Sequence, residues 1–499
     1  MTSTAQAAHP SVGISAMAVY VPPWRVDLKR WCEWTGNDVA KTCAVIGDAF
    51  RMPGPDQNVY TLAANAVLRL IDRHGIDPQA VGYLALGTES SIDNAAGAVI
   101  VRGLVDQALA AEDKPTLARD CEVPEFKHAC LGGVYALKGG LRYLAFDGRD
   151  RQAIVVSADI AEYARGSTGE PTQGAGAVAM LLEASPRLLE LDLAASGSAS
   201  AYRGLDFRKP FLRFAHETPG HHGRLRDLPV FNGKYSTDCY IDATLHALEA
   251  MFARRDGSHS AYLRDLGAVF MHRPYHHMPH SAWAMAWLAA LGHDAAQGDA
   301  DAERELAAYC DGAQVTLDDV AAEWQRGTQN CAADDLPPSA YPALMAARKA
   351  FRKSDKHAHI VKDKLHIGAQ AMKELGNLYT AALPAWLATG LESAATDGID
   401  LEGNDLLVLG YGSGDAAEAI PARVVSGWQD AARAVRFKDA LADAIDLDQA
   451  AYEALHDTGN IDIARSPASS GVVVDHVGMR NAPELQDFGI AYYRYLGMP

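Results

Sequence analysis

The sequence predicts an α/β protein with helices layered on sheets and the same theme run twice along the chain. Three observations carry that expectation. Short apolar stretches rich in β-branched residues alternate with segments of helical periodicity. The second half repeats the pattern, and its strand Leu406 to Gly410 (LLVLG) enters a small-residue turn, Gly412-Ser413-Gly414, much as an earlier strand enters Gly87. The 499 residues, 48% hydrophobic and 22% charged, suffice for one large duplicated fold with a substantial buried core. No literal sequence repeat accompanies the pattern, so the duplication is read from the order of elements.

Val12 to Val21 (VGISAMAVYV) is an apolar run closed by Pro22 and Pro23, as a core strand entering a turn should be. Val59 to His74 places Leu62, Ala63, Val67, Leu70 and Ile71 on one helical face, and Val81 to Leu86 is a short buried strand ending at Gly87. Lys138 to Leu144 continues as helix, Ala153 to Ser157 as strand and Gly174 to Leu182 as an apolar strand. In the second half, Asp238 to Ala253 reads as an amphipathic helix, Gly267 to Met271 as a strand and Gly368 to Leu391 as helical. His216 to Arg226 and Asp294 to Pro338 read as surface insertions, the latter with a helix at Asp299 to Tyr309 and a break at Asp334 to Pro338.

Composition narrows the function. Lys and Arg number 45 against 63 Asp and Glu, a net charge of −18, which argues against a protein that holds nucleic acid by neutralising phosphates. No apolar run approaches the roughly 20 residues that cross a bilayer, and the first ten residues lack the pattern of a signal peptide. A cytoplasmic protein without membrane contact is therefore expected. Seven Cys, at 32, 43, 121, 130, 239, 310 and 331, form no C-x-x-C pair, so most should be inert thiols.

Cys130 is different. It stands in FKHACLGG, where a loop passes into helical spacing. Backbone N–H groups at a helix start favour an anion and should lower the thiol pKa, while Gly132 and Gly133 let a substrate approach the backbone. Glu89 lies just past a strand in GTESSID, and His272 ends a strand in FMHRP. Nearby His276, His277 and His280 invite a metal, but no carboxylate or Cys at ligand spacing accompanies them, so no metal is expected. A thiolate accepts acyl groups, a carboxylate can take a proton from the carbon beside a thioester, and an imidazole can donate to an oxygen gathering negative charge. Together they specify carbon–carbon bond formation.

GTES, FKHACLGG, FMHRPY, LGNLYT and YGSG occur in the order and context of the 3-hydroxy-3-methylglutaryl-CoA synthase family, which the chain resembles from about Val12 to the terminal YYRYLG. ADIAEYARG, EPTQGAGAVAMLL, LDFRKP and NGKYSTDCYIDA belong to the same resemblance. It implies a duplicated thiolase-like αβαβα fold, with residues 1–190 carrying the Cys and Glu and residues 191–499 carrying the His and Asn. It implies that Cys130 is the acyl-accepting nucleophile, Glu89 the general acid/base and His272 the donor to the acceptor carbonyl, with Asn377 assisting. Asp159, Tyr163, Tyr411 and Ser413 match family active-site positions. The implied reaction joins acetyl-CoA to acetoacetyl-CoA without a cofactor, in a homodimer; a related reading places the acceptor on an acyl carrier protein. Two positions depart from the family. His277 stands where family members carry a Lys that helps to hold the CoA phosphates, and Arg208 replaces an aromatic residue in DFYKP. Arg208, Lys209 and His277 are accordingly the expected CoA contacts, with Arg213 nearby.

Overall fold

A computed structural model of the protein describes residues 11–91, 96–209, 228–326, 339–461 and 470–499. Ten strands share one sheet: β1 (Val12–Tyr20), β2 (Val81–Gly87), β3 (Glu125–Phe126), β4 (Gln152–Ala161), β5 (Gly174–Ala184), β6 (Leu189–Leu191), β7 (Gly197–Ser200), β8 (Ala268–Met271), β9 (Asp405–Gly412) and β10 (Ala416–Val424). They run in the order β8-β9-β10-β6-β1-β5-β4-β2-β3, with β7 also on β10. The duplication is visible in the pairing. In the first half β2 lies parallel to β4, which is antiparallel to β5; in the second, β8 lies parallel to β9, which is antiparallel to β10. Strand β6 joins the halves by pairing with both β1 and β10.

Alternation of side chains along the strands sets the layers. On β5, Ala175, Ala177, Ala179 and Leu181 face helices α1 (Val59–His74) and α2 (Gly97–Ala111), while Val178, Met180 and Leu182 face the other way. There α3 (Gly132–Ala145) packs on β2, β4 and β5, and its first turn also meets the second half. A Cβ on Gly410 of β9 would stand 2.6 Å from Leu131 Cδ1, so glycine is what allows this approach. Beyond the second half of the sheet, α4 (Gly233–Phe252) covers β7, β9 and β10, and α5 (Met278–Ala296) packs on α4. Helices thus layer on the faces of this one sheet, with α1 and α2 against one face of its first half, α3 against the other and α4 against its second half.

Local chemistry explains the ends of α1. Asn58 forms a reciprocal capping box with Thr61, and Gly75 closes the helix at φ +57°. The expected helix over 368–391 is instead two 3₁₀ turns, Ala371–Glu374 and Tyr379–Ala381, followed by a helix confined to Ala382–Asp397. Gly368 and Gly376 have left-handed φ values of +69° and +73°, and a Cβ on Gly376 would collide with the Gln173 carbonyl. The segment is bent there to fit the loop before β5. Asp299 caps the helix Ala300–Ala313, which buries Ala302, Leu306, Tyr309 and Cys310, so this part of the expected surface insertion contributes a face to the core. His216 to Arg226, Arg213, Cys331 and the break at Asp334 to Pro338 lie outside the described residues. Among the described residues no helix is long and apolar enough to cross a membrane.

Candidate active site

Glu89 follows the end of β2 and Cys130 precedes α3, so strand β2 and the start of the helix packed on it present both groups together. Cys130 Sγ donates to Glu89 Oε2 at 3.3 Å. Ala161, Tyr163 and Tyr379 pack beside the sulfur, and the two tyrosine rings meet edge to face at 6.3 Å. Asp159, from β4, fastens the loop that carries Glu89. Its Oδ1 accepts Thr88 Oγ1 at 2.9 Å, Glu89 N at 2.8 Å, Ser90 N at 2.8 Å and Ser90 Oγ at 2.7 Å. Its Oδ2 accepts Thr380 N at 2.9 Å as well as the Thr380 hydroxyl. Asp159 is thus a clamp, buried and saturated with donors, that ties the Glu89 loop to the second half of the chain.

The charge state of Cys130 differs from the expectation. The helix start does not leave a low-pKa thiol. Although part of the residue's surface remains open, dense packing around the sulfur and the neighbouring Glu89 carboxylate push its pKa well above the ordinary value, and Asp159 adds to the effect. Lys209 acts in the opposite direction. The resting group is a thiol held on a carboxylate, and it must lose its proton to attack.

His272 leaves β8 with its N–H on Leu409 O at 2.8 Å and its carbonyl accepting Tyr240 Oη at 2.7 Å. Its ring is 1% exposed, and neither Nδ1 nor Nε2 has a hydrogen-bond partner among the described residues. Burial pushes its pKa down to about 3, so near neutral pH it is an uncharged imidazole with one donor and one acceptor to offer. The ring lies 6.4 Å from that of Tyr411. Strand β9 connects this group to the cysteine: Tyr411 stands beside His272, and the next residue, Gly412, is pressed against Leu131.

Asn377 is buried in the GNLYT turn, where its N–H donates to Thr172 O and its Oδ1 accepts Tyr379 N, both at 2.9 Å; its side chain also hydrogen-bonds Tyr163. Tyr411 Oη donates to Asp206 Oδ2 at 2.8 Å, and Gly414 N donates to the same oxygen at 3.1 Å. Ser413 is half-buried in that turn. Asp206, Tyr379 and Thr380 were not singled out in the sequence, although each sits inside a motif that was.

The three expected CoA contacts differ in their surroundings. Arg208 is exposed, whereas Lys209 Nζ turns to within 3.8 Å of Glu89 Oε1. His277 precedes α5, and burial, with Arg352 and Arg348 nearby, lowers its pKa. His276 N and His277 N donate to Ile46 O and Val45 O at 2.9 and 3.0 Å. Those acceptors belong to the wall of a cavity of about 700 Å³ that is also lined by Trp31, Trp34, Lys41, Ser167 and Tyr452. The cavity therefore adjoins both the His272 loop and the chain just past Tyr163. His276 accepts from Arg273 at 2.8 Å, and His280 Nδ1 lies 3.2 Å from His276 O, so these rings are engaged within the protein. Elsewhere His259, His293 and Asp294 come together. There the imidazoles stack at 3.6 Å and 12°, and Asp294 accepts from His259 N and Ser260 N at the start of the helix His259–Asp265.

Family models described as hydroxymethylglutaryl-coenzyme A synthase N terminal and C terminal match residues 9–186 and 223–454. A hydroxymethylglutaryl-CoA synthase of Haloferax volcanii is 29% identical over 457 residues, covering 90% of this chain and 92% of the relative. One from Enterococcus faecalis is 27% identical and covers 89% and 91%. The solved structure of MvaS in complex with 3-hydroxy-3-methylglutaryl coenzyme A superposes with a TM-score of 0.74 at 25% identity, over 97% of this chain and 99% of that one. The curacin-pathway HMG synthase in complex with acetyl donor-ACP shares the fold at a TM-score of 0.68 and 18% identity, over 97% and 100%. Matched in order through both halves, and over nearly the whole length of relatives that share its thiolase-like α/β architecture, the chain belongs to the hydroxymethylglutaryl-coenzyme A synthase family.

Proposed function

We propose that this condensing acyltransferase joins acetyl-CoA to acetoacetyl-CoA through an acetyl group carried on Cys130, releasing 3-hydroxy-3-methylglutaryl-CoA and CoA. The observation that carries the reading is the Cys130 thiol on the Glu89 carboxylate, 3.3 Å apart, in the chain of this family. Glu89 takes the Sγ proton, the sulfur attacks the acetyl carbonyl, and the CoA sulfur leaves with that proton returned from Glu89, which is then a carboxylate again. Glu89 then removes a proton from the methyl carbon of the acetyl thioester. The resulting carbanion attacks the ketone of acetoacetyl-CoA, where His272, neutral at working pH, donates its N–H to the forming alkoxide and the Asn377 amide assists. Water finally cleaves the thioester, giving the free carboxylate and restoring the thiol.

The steps transfer acyl groups and protons, form one carbon–carbon bond and add water, with no net oxidation or reduction, so the reaction as written calls for no redox cofactor. The cavity bearing Lys41, beside the Tyr163 and His272 segments, is our candidate for the CoA portion of the substrates. We further propose a cytoplasmic homodimer that feeds the mevalonate route to isoprenoids. Purified protein given both CoA thioesters should release CoA and a product of the mass of 3-hydroxy-3-methylglutaryl-CoA. Product formed only from an acetoacetyl carrier protein would reassign the acceptor, and product from neither would overturn the reading.

Asp159→Asn tests the clamp. An amide presents donors where Asp159 accepts several, so the Glu89 loop should shift. A displacement of about 1 Å is expected to lower kcat roughly 10²-fold. Steady-state rates, with Cys130 alkylation as a check that the fold and thiol remain, would show it; an unchanged kcat would remove Asp159 from the mechanism.

A further inference from the structure

Lys209 follows the short strand Phe207–Arg208, and its ammonium is set against the Glu89 oxygen that does not hold the thiol. Glu89 Oε2 accepts Cys130 Sγ at 3.3 Å, while Oε1 lies 3.8 Å from Lys209 Nζ. The same ammonium stands over the Tyr379 ring, 5.6 Å from its centre, and the lysine side chain is 21% exposed. Among the described residues, other ionisable groups facing the centre are Asp159 from β4, Tyr163 from the segment after it and Tyr379 from the turn before the helix Ala382–Asp397. Asp159 is occupied with its own donors, and burial holds the protons on both tyrosines.

A base must be ionised to accept a proton, yet enclosure in protein favours the neutral acid. Once Cys130 carries an acyl group it no longer donates to Glu89, and the carboxylate loses that hydrogen bond. A cation within about 4 Å favours the charged form of a carboxylate and also eases loss of a proton from a neighbouring thiol. Lys209 is placed for both effects.

We propose that Lys209 is the electrostatic positioning residue of the reaction centre: set against Glu89 Oε1, it keeps this carboxylate charged during condensation and sets the pH at which Cys130 becomes reactive. The first effect rests on the reaction proposed for Glu89, while the second needs no substrate.

The experiment compares the unaltered protein with Lys209→Met and Lys209→Arg. In each, the rate of Cys130 alkylation by iodoacetamide is followed against pH by peptide mass, and kcat for condensation is followed against pH alongside. In Lys209→Met the alkylation midpoint and the acid limb of kcat should both move upward by about one pH unit or more, because loss of the cation raises the proton affinity of both groups. Lys209→Arg, which keeps the charge, should restore both midpoints toward those of the unaltered protein. A lysine that merely tethers its strand would lower rates at every pH and leave the midpoints in place, which would overturn the proposal. If the thiol midpoint moves in a protein that never condenses the two thioesters, the reaction reading fails and the assignment of Lys209 to the thiol stands. If condensation proceeds with both midpoints unmoved, the reverse holds.

Discussion

Cys130→Ala should take up no label from acetyl-CoA bearing a labelled acetyl group and should lose condensation by a factor on the order of 10⁶, the scale on which removal of a covalent nucleophile is felt. Among the described residues beside the sulfur, Tyr163 and Tyr379 offer phenols on which burial holds the proton, and Glu89, once acylated, would no longer be available as the base. The fold should tolerate the change. Cys130 is half-buried and ends before α3 begins, so the loss of one polarisable atom should shift stability by about 1 kcal/mol. The unaltered protein should yield a labelled peptide containing Cys130, and the variant none, at closely similar thermal midpoints. Label retained in the variant would show that another residue carries the acyl group.

Glu89→Ala should behave in the opposite manner. It should still be acetylated on Cys130, yet condense about 10² to 10⁴ times more slowly, the range in which a positioned general base acts. The sign of the first effect follows from the charges: Glu89 is one of the groups that raise the Cys130 pKa, so its removal eases thiolate formation at any given pH. The thiol proton then passes to solvent. The methyl proton of the acetyl thioester, far less acidic, has no such substitute, so acetyl-enzyme should accumulate. Mass spectrometry of the intact protein after brief mixing with acetyl-CoA would detect it, and product formation measured in parallel would give the loss. Normal turnover in this variant would assign the base elsewhere.

The sequence makes the pattern of elements readable wherever periodicity is local. Val59–His74 is a helix with the expected limits because Asn58 and Gly75 mark them chemically. The segment 368–391 misleads, since its apolar spacing suits a helix but the constraint on Gly376 is the carbonyl of Gln173, some two hundred positions away. The site divides in the same way. Cys130 and Glu89 can be found in the sequence because each sits in a distinctive motif at the end of a predicted element. The charge on the thiol cannot, because it depends on how densely the sulfur is enclosed and on a carboxylate 41 positions earlier. Nor can composition place Lys209 beside Glu89 rather than on a phosphate, since both roles ask for a cation and only the path of the chain chooses between them.

Asp159 has a consequence for biosynthesis. Its Oδ1 is satisfied by the loop around Glu89, but its Oδ2 waits for Thr380, 221 positions further along. A chain still emerging from the ribosome with only its first half complete would possess the cysteine and the base yet lack the last anchor of the loop between them. Chemical competence is therefore acquired late, when the finished polypeptide closes on itself.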